Sequence, residues 1–165
     1  MGKARAAPGR SRDAIALVER AAEIIPELNT LVTLGDLYTL IGDQEPARQA
    51  YDTVEVIARL SKANQVIYNR SLALFYADHD LKLDTALELA ETEIEVRKDI
   101  YGYDTLAWVL YKHGRFDEAT DAITKAMRLG PQHAQLYFHA GMIYYRLGRN
   151  DEAGEFLEHA LRISP

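Results

Sequence analysis

GRSRDAIALVERAAEIIP (residues 9–26), GRFDEATDAITKAMRLGP (114–131) and GRNDEAGEFLEHALRISP (148–165) align without a gap. In each, an Ala follows the Gly after five residues and a Pro follows it after seventeen, with apolar residues at helical spacing between them. Two degenerate copies extend the series, GDQEPARQAYDTVEVIA from Gly42 and DLKLDTALELAETEI from Asp80. The landmark Ala falls at Ala14, Ala47, Ala86, Ala119 and Ala153, in steps of 33, 39, 33 and 34 residues. Such a period marks an array of repeating units, each contacting mainly its neighbours.

Ahead of these segments lie other amphipathic stretches: LVTLGDLYTLIG, YNRSLALFYADH, YDTLAWVLYKHG and YFHAGMIYYRLG. Each holds a small residue in its middle (Gly35, Ala73, Ala107, Gly141) and a large apolar one three positions later (Tyr38, Tyr76, Leu110, Tyr144). A residue without bulk lets a neighbouring helix approach, and the large side chain on the same face fills the adjoining space. Gly42, Gly114 and Gly148 stand where a left-handed residue closes a helix, and Asp43, Asp117 and Asp151 place negative charge at the start of the next. The pattern predicts pairs of helices throughout, an all-α chain.

These landmarks together resemble the tetratricopeptide repeat, and the chain is similar to a bacterial domain or fragment of that family. The resemblance covers nearly the whole chain and implies an α–α superhelix of antiparallel helix pairs, about 4.5 repeats and nine helices. The expected organisation is a single solenoid domain over 1–165, with a partial repeat at 1–27 and repeats at about 28–65, 66–99, 100–133 and 134–165. The copy from about Val66 departs most: Asn69 replaces a large apolar residue, Asp80 and Leu81 occupy the turn, and Lys98 stands at the closing Pro position. The 39-residue step predicts a longer helix or an irregular bend around 59–66.

Extending the register back from Gly9 puts Met1 and Gly2 at the middle of a first helix that Pro8 interrupts, and Pro165 falls on a repeat boundary with Leu157 and Leu161 uncovered. These ends lead to the expectation of a segment cut from a longer repeat protein, with self-association through the uncapped ends as the alternative.

The composition narrows the function. With no Cys there is no disulfide framework or thiolate chemistry, and a net charge of −6 argues against wrapping nucleic acid. No stretch is apolar enough for membrane insertion, and the start lacks a signal peptide's apolar core. The compartment stays open, with the cytoplasm as default and an exported parent protein as the other case. The basic start (Lys3, Arg5, Arg10, Arg12) reads as a solvated end. His79, His113, His133, His139 and His159 are scattered without a ligand pair, and no phosphate-binding loop, dinucleotide fingerprint or GxSxG occurs. The expectation is therefore no enzyme, no cofactor and no metal.

Nine of the ten Tyr lie in first helices or their lead-in, which the resemblance puts on the concave face. Tyr38, Tyr76, Tyr103, Tyr137 and Tyr144 fall at packing positions. Tyr101, Asp104, Trp108, Tyr111 and Lys112 form another stripe, and Gln135, Phe138, Met142, Tyr145 and Arg146 repeat it. The resemblance makes these groove positions. They imply an aromatic floor edged by Asp104, Lys112, His139 and Arg146, with Arg70 and Leu74 contributed by the preceding repeat. Aromatic residues, Met and Arg are enriched where proteins meet. The expected partner is a protein or peptide, an extended strand or a helix; the other roles open to such a chain are a self-assembling module or the regulatory arm of a larger enzyme or sensor. The family's carboxylate clamp is disfavoured, since Asp36 stands where it has Asn, Tyr101 where it has Lys and Thr105 where it has Arg.

Overall fold

The computed structural model describes residues 8–63 and 69–164, with side chains for all of these except 8–11, 62 and 63. Among the described residues there are nine helices and no strand. The chain divides into two compact units, Met1–Tyr68 and Asn69–Pro165. The first holds α1 (Pro8–Ile24), α2 (Leu28–Ile41) and α3 (Gln44–Ala63). The second holds α4 (Asn69–Asp78), α5 (Leu83–Val96), α6 (Ile100–Lys112), α7 (Phe116–Met127), α8 (Ala134–Arg146) and α9 (Asn150–Ile163). The division falls inside the widened step between Ala47 and Ala86. There α3 runs for 20 residues, against 12 for α7 and 14 for α9, as the sequence predicts. Residues 64–66 of the expected bend, and the expectation for Met1 and Gly2, lie outside the described residues.

The turns within the pairs share one geometry. Gly42, Gly114 and Gly148 have φ of +87°, +78° and +75°. At each, the Gly N–H bonds the carbonyl three residues back and the next N–H bonds the carbonyl five residues back: Asp43 to Tyr38 at 2.9 Å, Arg115 to Leu110 at 2.9 Å, Arg149 to Tyr144 at 3.0 Å. This closes the orphan carbonyls at the helix end. The degenerate copy makes the same pair of bonds without a glycine. Asp80 takes φ +53° and Leu81 N–H reaches the Tyr76 carbonyl at 2.8 Å; Asp is one of the few residues that visit this region without prohibitive strain. The start of the following helix repeats as well: the Arg115 guanidinium bonds the Glu118 carboxylate, and Arg149 bonds Glu152.

Helix pairs close through the predicted small residues. Ala47, Ala86, Ala119 and Ala153 are all buried, as are Gly35, Ala73, Ala107 and Gly141. Gly35 lies under the ring of Tyr51, and Gly141 lies under Leu157 of α9. In the second unit the core runs through Ala107, Leu110, Ile123, Ala126, Leu136, Ala140 and Ile143, which belong to α6, α7 and α8. Small residues on one helix facing branched ones on the next let the backbones approach while the packing stays dense. In the first unit, Tyr38 of α2 donates to the Glu19 carboxylate of α1, and Tyr51 of α3 donates to Asp36 Oδ1 at 2.7 Å.

The glycine positions make opposite predictions. A methyl group at Gly141 would lie 2.6 Å from Leu157 Cγ and 3.2 Å from the Ala153 carbonyl oxygen, so Gly141→Ala is expected to cost about 1–3 kcal/mol. Gly154 sits inside α9 with open space around it, so Gly154→Ala should gain about 0.5–1 kcal/mol. Urea unfolding of the two variants checks both signs.

The tyrosine bonds predict an alkaline transition. The Glu19 carboxylate that accepts its proton, together with burial, raises the Tyr38 phenol to about 12; burial first, and then the Asp36 carboxylate, raises Tyr51 to about 12. Unfolded Tyr titrates near about 10, so the folded chain holds these protons more tightly. Their contribution is complete below about pH 10 and is lost as the pH rises toward about 12. The melting temperature should fall across that window, and Tyr38→Phe with Tyr51→Phe should make the fall shallower.

Candidate functional site

In the second unit, α6 packs against both α4 and α8, whereas α5, α7 and α9 make no comparable contact with one another. A row of first helices packed more closely than the second helices curves the unit toward the first helices, which therefore line its concave side. The site expectations fall on this row.

Its centre is the only Trp of the chain. Trp108 lies between two rings, nearly parallel to each: His139 of α8 at 4.2 Å between centroids and Tyr111 of α6 at 4.9 Å. Its Nε1–H donates to Asp78 Oδ1 at the end of α4, at 2.7 Å. His139 Nδ1 lies 2.8 Å from Asp104 Oδ1 across the α6–α8 contact. Lys112 Nζ sits 5.4 Å from the Trp108 ring centroid and donates to Asp80 Oδ1 at 2.8 Å. A buried indole needs an acceptor and a buried carboxylate needs a donor, and here each finds it on a neighbouring helix.

This corrects part of the sequence expectation. Trp108, Asp104 and His139 were expected on the floor and edge of an open groove, yet they are only 5%, 4% and 2% exposed. The stacked rings close the space between adjacent first helices, and Trp108 Nε1, Asp104 Oδ1 and His139 Nδ1 are each engaged from within the chain. They position the face without forming its surface.

The surface consists of other predicted residues. Tyr101, Phe138 and Tyr145 are 42%, 44% and 62% exposed. Arg146 is exposed, and Arg70, Leu74, Tyr111, Lys112 and Met142 are half-buried. Phe138 leans on the hub, with its centroid 6.0 Å from that of Trp108. Tyr101 is held edge-on by His133 at 5.6 Å, and the Arg70 guanidinium lies 5.5 Å from its ring centroid. The Arg146 guanidinium sits in the same way 5.4 Å from the Phe116 ring centroid. Sequence reasoning left Asp80, His133 and Phe116 out of the site. Asp80 and His133 lie in connections between helices and Phe116 begins a second helix, so a stripe drawn along first helices does not pass through them. Among the described residues, no group of three or more His, Asp or Glu is placed to hold a metal ion, and no helix is long and apolar enough to cross a membrane.

Stacked antiparallel helix pairs with recurrent left-handed turns define a helical-repeat protein of the kind that serves protein–protein interaction. Residues 105–165, from within α6 through α9, match the family model described as tetratricopeptide repeat. Among solved structures, MamA from residue 41 onward of Desulfovibrio magneticus RS-1 is 17% identical over 94% of this chain and 86% of that one, with a TM-score of 0.52. A MamA RS-1 ArsTM double mutant, also 17% identical, covers 94% of this chain and 85% of that one with a TM-score of 0.51. Likeness at this identity speaks for the fold alone. No curated protein matches the sequence significantly.

The buried pair generates a prediction. Removing one partner leaves the other unsatisfied, so Asp104→Ala or His139→Ala should each cost about 2–4 kcal/mol, and the double variant should cost clearly less than their sum. Denaturant unfolding of the four proteins measures the coupling.

Proposed function

We propose that the chain is a non-catalytic docking module whose second unit takes a peptide or helix of a partner protein along the row of α4, α6 and α8. Tyr101, Phe138, Met142 and Tyr145 are its apolar anchors, and Arg70, Lys112 and Arg146 orient the partner. The observation that carries this reading is three aromatic rings left about half in water on a concave face, beside a hub in which the neighbouring rings are buried. A single exposed ring is ordinary, but several on one face mark a contact surface, and aromatic side chains are among those that dominate interface energetics. A rigid underlayer lets such rings contribute area at small entropic cost.

The test is selection of binders from a random dodecapeptide library on the whole chain, followed by affinity measurement on substituted proteins. Phe138→Ala and Tyr145→Ala together should weaken the selected peptides by about thirtyfold, a loss of about 2 kcal/mol, with helicity by circular dichroism retained. Unchanged affinity would reject this face.

A further inference from the structure

The charges of the second unit are sorted between its two layers. The second helices α5, α7 and α9 carry twelve acidic side chains against two basic ones, a net of −10. The first helices α4, α6 and α8 carry three basic side chains against two acidic ones, a net of +1. Both acids on the first helices are already engaged: Asp104 is buried against His139, and Asp78 accepts the Trp108 indole proton. Lys112 is paired with Asp80. Arg70 and Arg146 differ, since among the described residues neither has a carboxylate within ion-pair distance. Each is instead held over an aromatic ring.

A guanidinium held by a ring through a cation–π contact keeps its N–H donors available, and its planar fork matches a carboxylate. Even after the six basic residues in the connections beside them (Lys82, Arg97, Lys98, Arg115, Arg128 and Arg149) are counted, the second helices stay net acidic, so the face carrying Arg70 and Arg146 is where an anionic segment meets the least repulsion. Resting on the reading of this face as a docking surface, we infer that it takes an acidic stretch of a partner protein, in which Asp or Glu side chains flank an aromatic or aliphatic anchor. The anchor packs among Tyr101, Phe138, Met142 and Tyr145, and the flanking carboxylates meet Arg70 and Arg146. Recognition is of side-chain carboxylates, so it does not require the free end of the partner chain. A long polyanion such as nucleic acid fits less well, because it would extend past a face of modest positive charge onto acidic helices.

The peptide library supplies the experiment. Peptides enriched on the wild-type chain should carry an excess of Asp and Glu around one or two large apolar residues. They should bind about tenfold more weakly at high salt than at low salt, and equally well with an amidated C-terminus. Arg70→Glu with Arg146→Glu should weaken them about tenfold or more and remove the acidic bias from a fresh selection. Arg70→Gln with Arg146→Gln should have a smaller effect in the same direction, and an unchanged melting temperature for either pair shows that the fold is intact. A neutral or basic enriched pool that still depends on Phe138 overturns the charge inference and leaves the docking face standing. A pool insensitive to Phe138→Ala, or no enrichment at all, overturns both. Tighter binding of a single-stranded oligothymidylate than of any selected peptide overturns the choice of a protein partner.

Discussion

The indole of Trp108 is a large apolar ring with one proton that must be hydrogen-bonded wherever it is buried. Satisfying both demands requires three helices at once. α4 supplies the Asp78 carboxylate, α6 supplies the ring and Tyr111 beneath it, and α8 supplies the His139 ring that covers its other face. His139 is in turn held by Asp104 of α6. Small and branched side chains elsewhere in the core of the second unit can be accommodated at slightly different helix spacings. A stacked, hydrogen-bonded indole cannot, so the row of first helices in the second unit has a defined spacing. The exposed rings of Tyr101, Phe138 and Tyr145 inherit their positions from it.

Local features were legible in the sequence and lateral ones were not. A left-handed turn needs a residue at one position, and Gly42, Gly114 and Gly148 announce it directly. Even the degenerate turn could be located, because Asp80 falls on the right count although the residue type is wrong. The buried Ala and Gly positions were legible for the same reason, since a fixed spacing along one helix reports which face is packed. The burial of Trp108 was not. Its stripe of Tyr101, Asp104, Trp108, Tyr111 and Lys112 reads as one continuous surface, yet Asp104 and Trp108 lie inside it and Tyr101 lies outside. What divides them is a partner about one repeat away: Asp78 is 30 residues before Trp108, and His139 is 35 residues after Asp104. No periodicity within a helix encodes that pairing. The site therefore shifted outward, from the hub to the rings and guanidinium groups that rest on it.

The layering of charge follows from the same geometry. First helices are crowded on both sides by their neighbours and spend their surface on packing, so little charge can be placed on them without burial costs. Second helices have open flanks, and α5 alone carries five acidic residues and no basic one. A chain of net charge −6 thus presents two chemically different sides in its second unit, and a partner approaching in solution meets different potentials on each.

The position of that single Trp also makes the protein self-reporting. Residues 1–68 contain no Trp, so indole emission arises only from the second unit, at a ring stacked on an imidazole and bonded to a carboxylate. Far-ultraviolet circular dichroism, by contrast, sums the helices of both units. Comparing the two signals along one denaturation curve separates the stability of residues 69–165 from that of the whole chain without any added label, and in repeat arrays such a separation is where all-or-none behaviour first fails.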